Sequence, residues 1–279
     1  MTYTLTPARW RELRVYRTAE TPRRLALINR KGGSGKTTTA IQVAAALAAW
    51  GVRVRLTDGD PQFASSTYWL PPQRPAGYPT LLDVMLGDSS IREATASTTV
   101  PGLRIVPSLD TLGRVDAERP PGSDTLLRDE YDDDQDDVDV EILDAAPSMG
   151  LVTVSMLTAA THVAVCMKTS TLDYVGAAEL AKPLGLIRKR LNPTLETAAV
   201  VMADTDGGTV LSRSLDERLV QEYPGALVHQ IPHSVRAQEA PGVHQPLIDY
   251  APDNPVTAAY WNLAAAVVPR LGLAWKVGP

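Results

Sequence analysis

Apolar positions along this chain gather into short runs separated by longer stretches in which they recur at helical spacing. Runs at residues 25–28, 52–57, 103–107, 140–147, 162–167, 198–202 and 227–231 read as strands, and that at 52–57 alternates Val, Arg, Val, Arg, Leu, Thr. Helical stretches lie between most of them. The alternation predicts a doubly wound, mainly parallel α/β sheet flanked by helices. Residues 39–50 form a helix of small apolar residues that stops at Gly51. A shorter helix over 80–87, ended by Gly87, follows a loop carrying Pro71, Pro72, Pro75 and Pro79. At the start of the chain Thr6 and Pro7 suit a helix opening, with Trp10, Leu13 and Tyr16 as one apolar stripe.

Periodicity fades between residues 108 and 139, where the run Asp132, Asp133, Asp134, Gln135, Asp136, Asp137 stands. It lacks the spacing of a calcium loop, and a solvated, mobile acidic loop is the expectation. The organisation that results is a basic, helical N-terminal extension over 1–24 and one domain over 25–279. Arg9, Arg11, Arg14 and Arg17 make the extension basic. A docked helix with a solvated arginine face and an arm touching nucleic acid are both open.

Composition narrows the picture. With 279 residues, 44% of them hydrophobic, the chain can bury a large core, and an aromatic share of 5% leaves packing to Ala, Val and Leu. A net charge of -5 argues against attraction of nucleic acid to the whole surface, leaving local basic faces. Cys166 is the single cysteine, which excludes a disulfide framework and a cysteine-held metal cluster. It lies inside a strand and reads as core. His162, His229, His233 and His244 show no metal-ligand spacing. No apolar span reaches the roughly 18 residues of a membrane helix, and arginines interrupt any leader-like run at the N-terminus. The expected location is the cytoplasm.

The candidate chemistry centres on Lys31-Gly32-Gly33-Ser34-Gly35-Lys36-Thr37-Thr38, set between the strand at 25–28 and the helix at 39–50. Glycines let such a turn bring N–H groups against phosphate oxygens, and the helix N-terminus adds partial positive charge. Lys36 would reach β- and γ-phosphates and the Thr37 hydroxyl would sit on Mg²⁺. Arg30 occupies the position where the ordinary phosphate loop has its first glycine. A second lysine, Lys31, opens the loop instead. Two further acidic sites fall at strand ends, where ligands of parallel sheets bind: Asp58 and Asp60 after the second strand, and Asp144 in the run at 140–147.

This loop resembles the deviant Walker A box of the ParA/MinD family of P-loop ATPases. The stretch Asp58-Gly59-Asp60-Pro61-Gln62 resembles that family's first switch, and Asp144-Ala145-Ala146-Pro147 its Walker B and second switch, with Ala146 where two prolines are more usual. The C-terminal block from Ile231-Pro232 through Arg236, Glu239-Ala240-Pro241, Gln245-Pro246 and Tyr250 is similar to ParA proteins and missing from MinD proteins. The resemblance implies ATP and Mg²⁺ as cofactors and an ATP-dependent homodimer. Residues 31–38 and Pro232 would bind ATP, with Lys31 crossing to the nucleotide of the other subunit. Thr37, Asp58 and Asp144 would hold the metal, while Lys31, Lys36 and Asp60 would act in hydrolysis, Asp60 by placing the attacking water.

It further implies non-specific DNA binding on the nucleoid through Arg236, a centromere-binding ParB-like partner that stimulates a weak ATPase, and a role in plasmid or chromosome partitioning. Arg213 and the cluster Arg188, Lys189, Arg190 are additional DNA candidates, the cluster being equally readable as a solvated helix end. Three other readings stand beside this one. A MinD-like membrane positioning factor would need an amphipathic helix at 271–277, which carries Trp275 and Lys276 but follows Pro269 and contains Gly272. A ParA-like ATPase could position a protein cargo. A metabolic P-loop enzyme would need an acceptor pocket.

Overall fold

The computed structural model describes residues 5–62, 66–134, 136–205 and 218–276. Its strands in chain order are β1 (Val15–Arg17), β2 (Arg23–Ile28), β3 (Val54–Gly59), β4 (Ala96–Ser97), β5 (Leu103–Val106), β6 (Val140–Ala145), β7 (His162–Lys168), β8 (Glu196–Thr205), β9 (Leu227–Pro232) and β10 (Leu273–Trp275). The helices are α1 (Pro7–Glu12), α2 (Lys36–Ala49), α3 (Ser66–Trp69), α4 (Leu81–Leu86), α5 (Arg114–Glu118), α6 (Leu126–Asp133), α7 (Leu151–Ala159), α8 (Thr171–Glu179), α9 (Ala181–Arg190), α10 (residues 218–222), α11 (Val235–Glu239), α12 (Leu247–Tyr250) and α13 (Pro255–Val267).

Eight strands form one sheet in the order β4-β5-β3-β6-β2-β7-β8-β9, parallel except for β4. The chain leaves β2 in one direction toward β3 and later continues on its other side with β7, so β2 stands at the topological switch point. The carboxyl ends of β2, β3 and β6 therefore open onto one crevice. Alternation along β2 feeds both layers: Leu25 and Leu27 enter the core beneath α2 and α13, and Ala26 and Ile28 enter the opposite core. Helix α2 is buried along most of its length, which explains why it is built of alanine, and its tight packing leaves no room for bulk.

Residues 5–17 are part of this body. Thr6 caps α1 by accepting from Arg9 N, and Trp10, 1% exposed, stacks on Trp261 at 5.8 Å between ring centres. Trp50 donates from Nε1 to Trp10 O at 2.8 Å. The expected helix over 6–16 ends at Glu12, and β1 follows, pairing antiparallel with β10. Tyr16 thus sits on a strand and points to solvent, whereas Val15 points inward. Where an amphipathic helix was the alternative, Leu273–Trp275 forms β10, with Trp275 edge-on to Trp50 at 4.9 Å, and residue 277 lies outside the described residues.

The acidic run departs from its expectation. Arg55, 1% exposed on β3, donates to Glu141 on the neighbouring β6 and to Asp134, at 2.6 Å each, and Asp136 accepts from Arg104 at 2.8 Å. Asp132 takes Arg24, and Asp137 takes Arg53. A guanidinium inside a sheet needs carboxylates around it, so Asp134 and Asp136 fold over strand arginines while Asp132, Asp133 and Asp137 stay exposed. Burial and Glu141 act oppositely on Arg55, and the carboxylates prevail, raising its pKa. Helices α5 and α6 also lie where periodicity faded.

Candidate functional site

The loop after β2 is fixed at its root by Asn29. Its Nδ2 donates to the carbonyl of Cys166 at the end of β7, and its Oδ1 accepts from Lys31 N at 3.0 Å. Gly33 and Gly35 adopt φ of 70° and 90°, a region that side chains resist, and a Cβ on Gly35 would stand 2.8 Å from Ala203 Cβ. Glycine is therefore required at 35 twice over. Lys36 is 6% exposed at the first turn of α2, and Ser34 Oγ is buried without a hydrogen-bond partner among the described residues.

The loop lines a cleft of about 320 Å³ with Asp60, Gln62, Pro147, Lys168, Asp204, Pro232 and Tyr260 among its walls. Residues 32–38 all face it. Lys31 is exposed and is not among the residues that line it.

Asp58 and Asp144 are register partners on β3 and β6, and neither has solvent exposure. Strand β3 runs to Gly59, so Asp58 lies within it and not beyond its end as the run at 52–57 suggested. Asp58 accepts from Thr67 and from Asp60 N, while Asp144 Oδ2 accepts from Ser66 Oγ at 2.6 Å. Burial and the neighbouring Asp58 push Asp144 up to about 7, against the pull of Ser66 and Lys36. Asp60 accepts from Gln62 N at 3.0 Å and keeps partial exposure at the cleft.

Two charged cleft residues, Lys168 and Asp204, escaped the sequence reading. Asp204, at φ 62°, accepts from Lys168 Nζ at 3.0 Å and bonds His233, and these contacts with His233 and Lys168 hold its carboxyl below the ordinary value despite partial burial. An acid near the carboxyl end of a parallel strand was the signal, the same that marked Asp58 and Asp144.

The basic candidates separate. Arg236 lies exposed on α11, whose Ala237 and Gln238 line the cleft, and it pairs with Glu239 at 2.8 Å. Arg188 donates to Leu195 O at 2.8 Å and Thr197 Oγ1 at 2.7 Å, near the start of β8. At about 3.3 Å per residue that is roughly 23 Å along the strand from Asp204, at the far end of the sheet. Lys189 and Arg190 are exposed beside it. Arg213 lies outside the described residues.

A glycine loop and helix start at the switch point of a parallel sheet, closing on a cleft with buried acids behind it, define a P-loop NTPase. A sequence profile of the family described as an AAA domain matches residues 22–197. The chromosome partitioning protein ParA of Caulobacter vibrioides is 34% identical over 252 residues, covering 88% of this chain and 94% of that protein. The chromosome-partitioning ATPase Soj of Thermus thermophilus is 34% identical over 250 residues, covering 89% and 96%. Among solved structures, cobyrinic acid a,c-diamide synthase of Mycobacterium smegmatis with bound ADP and magnesium superposes with a TM-score of 0.76 at 27% identity, covering 90% of this chain and 95% of that one. The chain belongs to the ParA family of partitioning ATPases.

Proposed function

We propose that this ATPase binds MgATP in the cleft, pairs with a second copy through its ATP-bound face, and in that state binds DNA without sequence preference to drive partitioning. The observation that carries the reading is Lys31: it belongs to the nucleotide loop yet stands outside its own cleft. In the family such a lysine reaches phosphates held by another subunit, whereas Lys36 serves its own. The backbone of residues 32–38 cradles the phosphates, and Pro232, Asp204 and Tyr260 bound the cleft's other end for the base.

The residues present fit a divalent cation. Asp144 Oδ1 is buried with no hydrogen bond among the described residues, and a hydrated cation would supply its donors. No three His, Cys, Asp or Glu side chains cluster as ligands among the described residues, so the cation would arrive with the nucleotide's phosphates, held by Thr37 directly and by Asp58 and Asp144 through water. When bound, Mg²⁺ neutralises charge developing between the β- and γ-phosphates. Asp60 aligns the water for in-line attack, and Lys36 and Lys31 offset the charge on the transferred group.

Arg236 provides the DNA contact nearest the nucleotide, and pairing of subunits doubles the basic patch it begins. With a net charge of -5, affinity for DNA is weak and salt-sensitive. Hydrolysis is slow alone and stimulated by a centromere-bound ParB-like partner, and the protein works in the cytoplasm on the nucleoid, without a membrane. Binding to random duplex DNA with ATP, ADP or no nucleotide, at low and moderate salt, tests the reading. ATP-dependent, salt-sensitive binding by a dimer is expected; binding equal in all three states would refute it.

A further inference from the structure

Ser66 and Thr67 open α3 and belong to none of the nucleotide motifs. Ser66 has no solvent exposure, and its hydroxyl donates to Asp144 Oδ2 at 2.6 Å. Thr67 donates to Asp58 Oδ2 from its backbone N at 2.7 Å and again from its hydroxyl, and Ser108 N donates to that hydroxyl oxygen at 2.8 Å. Each buried acid is thus held through one oxygen by a hydroxyl of the same short helix.

The helix is itself held from behind. Trp69 Nε1 donates to Gln245 O at 2.9 Å, and His244 Nδ1 lies 2.9 Å from Tyr68 O, which can only accept. Two residues on, Leu247 N donates to Gln42 Oε1, a fully buried side chain of α2. Helix α2 is the one that begins with Lys36 and Thr37. The two hydroxyls are therefore fixed relative to the nucleotide loop by a chain of named hydrogen bonds, and a carboxylate held by a fixed donor cannot turn away from its task.

We infer that Ser66 and Thr67 are positioning residues of the magnesium site, orienting Asp144 and Asp58 before the cation arrives. The inference rests on the reading of those acids as the magnesium carboxylates. Removing the Ser66 hydroxyl takes the donor from Asp144 Oδ2 and leaves only Thr37 and Lys36 acting on that buried carboxyl, so the cost falls on the metal and spares the phosphate loop.

The test is the affinity of a fluorescent ATP analogue across a Mg²⁺ titration and in EDTA, for the wild type, Ser66→Ala, Ser66→Thr, Thr67→Val and Asp144→Asn, each checked by thermal melting. Ser66→Ala should raise the Mg²⁺ concentration for half-maximal effect by about 10- to 100-fold, the usual cost of losing an outer-shell partner, with affinity in EDTA unchanged. Ser66→Thr, which keeps the hydroxyl, should restore most of the response. Thr67→Val, which keeps its backbone donor, should shift it in the same direction by less. An unchanged Mg²⁺ dependence in both Ser66→Ala and Thr67→Val, or an equal loss with and without Mg²⁺, overturns the inference. Asp144→Asn separates the two readings. If it shifts the Mg²⁺ response while Ser66→Ala does not, only the positioning role fails; if it does not, the acid assignment fails and the inference with it.

Discussion

Asp58 and Asp144 stand side by side on adjacent parallel strands, both without solvent exposure, and Asp144 Oδ1 has no hydrogen bond among the described residues. Two buried acids side by side raise the free energy of the nucleotide-free protein, which is why Asp144 is pushed up to about 7 by burial and by Asp58. Replacing Asp144 with Asn removes the charge and keeps an acceptor for Ser66. Without the charge, the burial and like-charge penalty that pushes Asp144 up is gone, so Asp144→Asn should raise the melting temperature in EDTA by about 2–6 °C while losing the further gain that MgATP gives the wild type. A melting temperature below wild type in EDTA would show that the acid pair is not a source of strain.

Lys36 and Asp60 divide binding from chemistry. Lys36 is buried under the loop, and Asp60 is part-exposed at the cleft with its carboxylate hydrogen-bonded only to Gln62 N among the described residues. Lys36→Ala should abolish nucleotide binding measured by fluorescence or calorimetry. Asp60→Ala should bind ATP normally, hydrolyse it at least about 100-fold more slowly, and accumulate as a dimer in light scattering. A monomeric Asp60→Ala protein in ATP would remove Asp60 from the catalytic role.

The parts of the site legible in the sequence are those carried by local pattern. Gly35 must be glycine because of its own φ, and Asp144 announces itself as an acid closing an apolar strand. What could not be read depends on residues far away in the chain. The acidic run pairs with Arg24, Arg53, Arg55 and Arg104, and no local spacing relates Asp134 to Arg55. Tyr16 was placed on the wrong face because its partner strand begins at Leu273. Ser66 is a buried serine in a four-residue helix, invisible until β3 and β6 bring Asp144 to it.

Arg236 and Arg188 should respond differently to charge reversal. Arg236→Glu leaves its helix without the pair to Glu239, an exposed contact that water and salt screen, so folding and ATP-driven dimerisation persist while DNA binding falls. Arg188→Glu loses the bonds to Leu195 O and Thr197 Oγ1 and should cost about 1–3 kcal/mol of stability. Filter binding and urea denaturation on both variants decide it. Retained DNA affinity in Arg236→Glu would shift the contact to Lys189 and Arg190 or to the arginines of α1.

Asp139 ties the start of β6 to β3 and gives the fold a specific acid sensitivity. Its carboxylate accepts from Arg53 N at 3.0 Å, Nε at 2.9 Å and a terminal guanidinium nitrogen at 2.7 Å, while Asp139 N donates to Arg53 O at 2.8 Å. Burial alone would raise its pKa, but the hydrogen bonds and charge of Arg53 outweigh that and hold it below the ordinary value. A carboxyl depressed in the folded state contributes stability above its unfolded pKa of about 3.9 and loses it as pH falls through the lower folded value. Because Arg53 is partly exposed, Asp139→Asn should cost only about 1–2 kcal/mol at pH 7. The deficit should persist at pH 5 and shrink below about pH 4, where the wild-type carboxylate protonates as well. Urea denaturation of both proteins at pH 7, 5, 4 and 3.5 measures the difference directly. A deficit constant across that range would mean that the amide fails by geometry and that the charge on Asp139 contributes nothing.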